Sequence, residues 1–166
     1  RRALTYTPDN PAQYRVEFGN IGQHYYSWRY GSQTGAPGAY DIVFTTTIGL
    51  NVDIARVNLD GSGFHNLTNS HTGYDGWPFY SRNGNYIAFK RGGDGDSGTL
   101  AIMDRDGSDV DEFDAGITAI HDWSYDSNYV AYQEGGNVWI VHRNGQSDRI
   151  KIGDGNHHAS FAPNAL

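Results

Sequence analysis

Seven histidines stand in a chain without cysteine, and His24, His121 and the pair His157-His158 each fall two to four residues ahead of an aromatic residue, Tyr26, Trp123 and Phe161. Imidazole nitrogens brought together with a nearby carboxylate or amide, from Asp75, Asp122 or Gln23, would hold a divalent ion such as zinc, manganese or calcium. His24, His121 and His158 are therefore the candidate metal ligands. The competing reading needs no ion, because imidazoles in such places also hydrogen-bond loop carbonyls. Matched spacing across distant segments favours that reading over a metal, since it is a weaker signal than a local ligand motif.

The chain holds 4 Trp, 12 Tyr and 7 Phe, a surplus of rings that suggests a second chemistry. Sugars bind by laying an apolar face on a Trp or Tyr ring while carboxylates and amides take their hydroxyls. Trp77 lies beside Tyr74 and Asp75, and Trp28 and Tyr30 precede the irregular stretch Gly31 to Gly38. With Asp122 these are the candidate ligand-binding residues, and a glycan or oligosaccharide is the expected partner. Trp123 and Tyr26 instead fill a position that recurs along the chain and belongs to a core. Trp139 falls within a strand, where packing explains it.

Other signals are weaker. Gly93-Asp94-Gly95-Asp96-Ser97-Gly98 places carboxylates at alternate positions, which suits calcium, but no Glu closes the loop, so a solvated hairpin is expected. Asn66-Leu67-Thr68 fits a glycosylation sequon. There is no Gly-x-Ser-x-Gly elbow, phosphate loop or dinucleotide fingerprint. Tyr and His are plentiful, so a lyase using one of them as base, with a metal neutralising a uronate, stays open. The net charge of -7 counts against a polyanionic substrate and against nucleic acid, for which no basic stripe exists. No apolar run approaches the roughly 20 residues of a spanning helix, so no membrane partner is expected. The start Arg1-Arg2-Ala3 is compatible with removal of a signal peptide and equally with a trimmed chain. A secreted or periplasmic protein is the expectation.

The elements that must position these residues repeat. Leu4/Tyr6, Ile42/Phe44, Ile87/Phe89 and Val130/Tyr132 share one pattern at steps of 38, 45 and 43 residues, and passing from Val130 through Leu166 to Leu4 adds 40. A period near this length built of β-segments is the signature of propeller blades. The clearest unit begins at Tyr74. Its strands Trp77–Tyr80, Tyr86–Phe89 and Leu100–Met103 are divided by the turn Ser81-Arg82-Asn83-Gly84 and by a Gly-rich connection from Arg91 to Gly98, and Asp106-Gly107 turns the chain again after the third. Ile54–Val57 ends in Asp60-Gly61 and Val138–Val141 in Asn144-Gly145, echoing Leu100–Met103.

These strings resemble the TolB-type β-propeller repeat, with an aromatic-Ser turn at Tyr80 to Gly84, an Ile-Ala-Phe strand at Ile87 to Phe89, a strand at Leu100 to Met103, an Asp-Gly-Ser hairpin at Asp106 to Ser108 and a unit end at Leu67-Thr68. The resemblance covers nearly all of the chain from Tyr40 onward. It implies an all-β fold, one β-propeller domain over residues 1–166, for which the repeats of this chain supply four blades where propellers of that family usually close with six or seven. Pairing of Ala159–Leu166 with Ala3–Thr7 would close it, either within one chain as a four-bladed ring or head to tail in an eight-bladed homodimer. In such a ring the innermost strands line the axis, so His24, His121 and His158 would converge at one end of the channel. The similar propellers of oligogalacturonate lyases hold a metal by His and Gln at such a place. The resemblance leaves function open among a carbohydrate-binding, lectin-like propeller, which leads, a metal-dependent polysaccharide lyase-like enzyme, and a protein-interaction scaffold holding a peptide at the channel mouth.

Overall fold

The structure, a computed structural model, describes residues 41–69, 71–93, 96–145, 149–155 and 158–162. Expectations for residues 1–40 and 163–166 lie outside the described residues, including His24, Trp28, Tyr30, the first unit's opening strand and the pairing of the two ends.

Ten strands and no helix make up the described residues: β1 (Asp41–Ile48), β2 (Asn51–Asn58), β3 (His65–Asn66), β4 (Asp75–Tyr80), β5 (Tyr86–Arg91), β6 (Gly98–Asp104), β7 (Asp111–Trp123), β8 (Tyr129–Glu134), β9 (Asn137–His142) and β10 (Ile150–Asp154). They form a three-stranded sheet, β1-β2-β3, and a seven-stranded sheet, β10-β9-β8-β7-β6-β5-β4. Neighbouring strands are antiparallel throughout.

The long sheet is two units joined through one strand. The first part of β7, up to Ile117, pairs with β6, and the part from Ile117 onward pairs with β8. Gly116, at φ 79°, marks the change of partner. One unit is therefore β4, β5, β6 and the start of β7; the next is the end of β7, β8, β9 and β10. By the same alignment β1, β2 and β3 are the last three strands of a preceding unit. The two complete units match the sequence expectation, whereas the ring itself is not closed among the described residues, where β4 and β10 are the edges of the long sheet.

Alternation sends successive residues of the central strands to opposite faces, and both faces are buried. Ile87 and Phe89 of β5, with Ala101 and Met103 of β6, pack against Val43, Ile54 and Leu67 of the preceding unit. Ala88, Leu100 and Ile102 of the same two strands turn the other way and meet Ile117, Ile120, Trp123, Val130, Tyr132 and Val141. This explains why these strands read as unbroken apolar runs. Trp123 is wholly buried, stacks on Tyr86 at 6.4 Å and donates its indole N–H across the interface to the Phe79 carbonyl at 3.1 Å.

Polar ties fix the spacing of the units. Arg105, just past β6, makes a two-pronged contact with Asp41 at the start of β1, Nε to Oδ2 at 3.2 Å and Nη2 to Oδ1 at 3.0 Å. Arg143, just past β9, holds the matching place one unit on. Tyr86 stands where Asp41 stood, and the Arg143 guanidinium lies 4.3 Å from its ring centroid. Turns are tied as well. The Ser81 hydroxyl accepts from the Tyr86 amide and donates to Asn83, as the Ser124 hydroxyl accepts from the Tyr129 amide and donates to Asp126.

Ser127 occupies the place of Gly84 in the matching turn and adopts the same left-handed backbone, φ 62° against 73°. Its buried hydroxyl repays this strain by accepting from the Asn83 amide of the neighbouring unit at 3.0 Å. Ser127→Ala keeps the strain and strands the amide, so urea unfolding should show a loss of about 1–3 kcal/mol. Ser127→Gly removes the strain and should lose less than the Ala variant. The reverse order would show that backbone strain at this turn is negligible.

Candidate functional site

Strand direction sorts the loops onto two faces. The turns after β4, β6 and β9 lie on one face; the β1–β2 turn, the approach to β4 and the β5–β6 connection lie on the other. The second face carries Tyr74, Asp75 and Trp77, and the structure brings them together with residues that adjacency alone did not show.

Tyr74 is pinned by a parallel bridge to Val52 and by the Gly92 amide, which donates to its carbonyl. Its ring lies across Gly76, where a Cβ would come 2.5 Å from the phenol oxygen, so a larger residue there would have to push the Tyr74 ring aside. Trp77 follows at a bulge in the β4–β5 ladder. It takes a left-handed backbone, φ 58°, directly before Pro78, a conformation that costs a non-glycine residue about 1–3 kcal/mol. Its amide donates to the Thr45 hydroxyl of β1 at 3.2 Å. Both rings are half-buried, and the Lys90 ammonium lies 5.0 Å from the Trp77 centroid and 5.7 Å from that of Tyr74. Lys90 is itself only 1% exposed. Beside this cluster the β1–β2 turn lifts Leu50 entirely into solvent, with Ile48 partly exposed behind it.

Asp75 is fully buried and already engaged. Arg91 reaches its two oxygens at 3.2 and 3.4 Å, His71 Nδ1 lies 3.3 Å away, and Arg91 continues to Glu112. A ligand hydroxyl would have to compete with a paired guanidinium for this carboxylate. Asp122 is also spoken for. It accepts from Arg82 of the preceding unit, from its own neighbour's amide at Trp123, and from the Ser160 hydroxyl and Phe161 amide at 3.0 and 3.1 Å. It docks the segment after β10 at the position where a further unit's first strand would begin.

His121 and His158 do meet, edge to face at 5.4 Å between centroids. Burial, and then the neighbouring His158, hold the His121 pKa below the usual histidine range, and its shielded Nε2 has no hydrogen-bond partner among the described residues. No group of three or more metal-ligating side chains converges among the described residues, and His24 lies outside them. Asp94 and Gly95 of the acidic loop also lie outside. The sequon is stitched into the fold: Asn66 donates to Asp53 at 2.8 Å, and the buried Thr68 hydroxyl accepts from the Ile54 amide. Two clefts, of about 400 and 230 Å³, open on the opposite face and are lined largely by turn residues and the inter-unit arginines, among them Arg105, Tyr86 and Arg143.

No family model matches the chain, and comparison with curated proteins gives no match. Among solved structures the chain is similar to TolB from Acinetobacter baumannii, with a TM-score of 0.56 and 20% identity over 69% of this chain and 30% of that one. It is similar to a putative TolB from Agrobacterium tumefaciens, with a TM-score of 0.54 and 18% identity over 69% and 47%. The nidogen/laminin complex gives a TM-score of 0.53 and 14% identity over 69% and 44%. The chain spans less than half the length of each. With the strand order above, these likenesses define a β-propeller. Its units have the TolB-like fold.

Asp122→Ala should cost about 2–4 kcal/mol in urea unfolding, because it strands Arg82 and three donors at once. Hydrogen exchange should show Phe161 losing protection while the β5–β6 core keeps it. An unchanged exchange rate at Phe161 would remove Asp122 as the docking point.

Proposed function

We propose that this chain supplies a protein-interaction surface of a TolB-like β-propeller, holding an extended partner segment on the face of Tyr74, Trp77 and the Ile48–Leu50 turn. The observation that carries it is Trp77, kept half-buried in a strained conformation by Thr45 and Lys90 beside a fully exposed Leu50. Strain of this kind persists where surrounding contacts over-determine it, and aromatic anchors next to exposed aliphatic side chains are what peptide segments dock on. Solved structures of similar fold include a complex between two proteins, nidogen and laminin, which accords with this reading.

Carbohydrate binding draws less support. The ring faces that a sugar would stack on already meet the Lys90 ammonium, and the adjacent carboxylate is paired with Arg91. A peptide display library panned on the folded chain should enrich a peptide family whose binding, measured by anisotropy, falls about thirtyfold in Trp77→Ala and Leu50→Asp. Asn85→Ala, on the other face, should bind as the parent does. Enrichment of no peptides, together with Trp77-dependent signal on a glycan array, would restore the lectin-like reading and end this one.

A further inference from the structure

Every described arginine but one is matched to a carboxylate. Arg56 and Arg105 share Asp41, Arg82 holds Asp122, Arg91 holds Asp75, and Arg149 holds Glu134. Arg143 has no ion pair among the described residues. Its backbone amide donates to the Asn128 carbonyl, its guanidinium lies over Tyr86, and its shielded Nε has no hydrogen-bond partner there. Arg105, one unit back, shows what this position can receive, since its Nε donates to Asp41. Tyr86, standing where that aspartate would, gives the guanidinium a face to lie on but no anion.

The cleft of about 230 Å³ at this junction brings Arg143 together with carboxylates that it does not pair with. Asp104, at the end of β6, and Asp109 and Asp111, on either side of Val110, line it. Val110 packs against the core of the preceding junction, so the two outer carboxylates are carried on an anchored segment. No hydrogen bond or ion pair engages any of these three side chains among the described residues. Ile102 and Met103, both buried, add an apolar lining. One unpaired cation and three unpaired anions therefore share a space below the about 300 Å³ of the smallest drug-sized sites, a size that suits a single amino acid.

We propose that this cleft binds a basic amino acid, arginine or lysine, either free or as the C-terminal residue of a peptide. Arg143 takes the α-carboxylate, which plays the part that Asp41 plays for Arg105. Because Nε is shielded, the bond falls to the two outer guanidinium nitrogens. The side-chain cation of the ligand lies among Asp104, Asp109 and Asp111, and its methylene stem runs over Ile102 and Met103. A dicarboxylic ligand is repelled by the three aspartates, and a simple cation leaves Arg143 without its anion. A molecule with both charges at the two ends of an apolar stem meets every group.

Isothermal titration calorimetry of the folded chain at low ionic strength, with L-arginine, L-lysine, L-argininamide and L-glutamate, tests this. Arginine and lysine should bind at a single site. Argininamide, which lacks the carboxylate, should bind at least about tenfold more weakly, and glutamate should give no heat of binding. In Arg143→Gln the affinity for arginine should fall about tenfold while that for argininamide stays as in the parent, and joint Asp109→Asn and Asp111→Asn should weaken both. The tripeptide Gly-Gly-Arg distinguishes the sources: binding equal to that of arginine makes a peptide C-terminus sufficient, and weaker binding assigns the cleft to the free amino acid. No saturable binding of arginine or lysine, equal affinities for arginine and argininamide, or indifference of arginine binding to Arg143→Gln would each overturn the proposal. The comparison of the two ligands on the parent chain holds whether or not the variants fold.

Discussion

Every complete unit must bury its sheet on both sides, and the rest of the structure follows from that. In β5 the sequence Ile87-Ala88-Phe89 sends its ends to one neighbour and its middle to the other, and β6 repeats the arrangement with Leu100 to Met103. A single unit would leave both of these faces in water, at a cost of about 25 cal/mol for each Å² of apolar surface. Stability therefore belongs to the junctions between units. This is why wholly buried large side chains such as Trp123, Tyr132 and Phe89 lie at the junctions and not inside any one sheet.

Apolar burial has no direction, so something else must set how one unit sits on the next. The polar ties do this, and they recur at fixed places with altered chemistry. An ion pair between Asp41 and Arg105 becomes a stacked guanidinium between Tyr86 and Arg143 one unit later. The replacement keeps the arginine and changes its partner, which preserves geometry while exchanging a charge-assisted contact for a cation–π one. Arg82 and Asp122 add a third tie, between the turn after β4 and the end of β7, and through Asp122 the chain's continuation is seated as well.

The buried strands were legible because both of their faces are apolar, and their turns because Ser81-to-Gly84 and Asp106-Gly107 have chemistry specific to tight reversals. The outer strands were not. β3 is two residues long, and Asp111–Gly116 and Ile150–Asp154 are largely exposed, so no hydrophobic period betrays them. At the site, Tyr74 and Trp77 could be grouped by adjacency, but Lys90 reaches them only through strand pairing. Its one trace was a charge inside an otherwise apolar strand. His121 and His158, at matched offsets in the sequence, lie edge to face, and Asp122 anchors the following segment, a role that only the folded chain reveals. Arg105 and Arg143 were missed although each follows its strand at the same offset, a regularity that alignment of the units would have revealed.

β7 passes from the pairing of one unit to that of the next at Ile117 without leaving the ladder. No loop therefore separates these two modules, and the join between them is a bend at Gly116, whose φ is 79°. Since the turns after β4, β6 and β9 share a face, β7 reverses at that bend, and a displacement of the last strand of one unit reaches the first strand of the next through it.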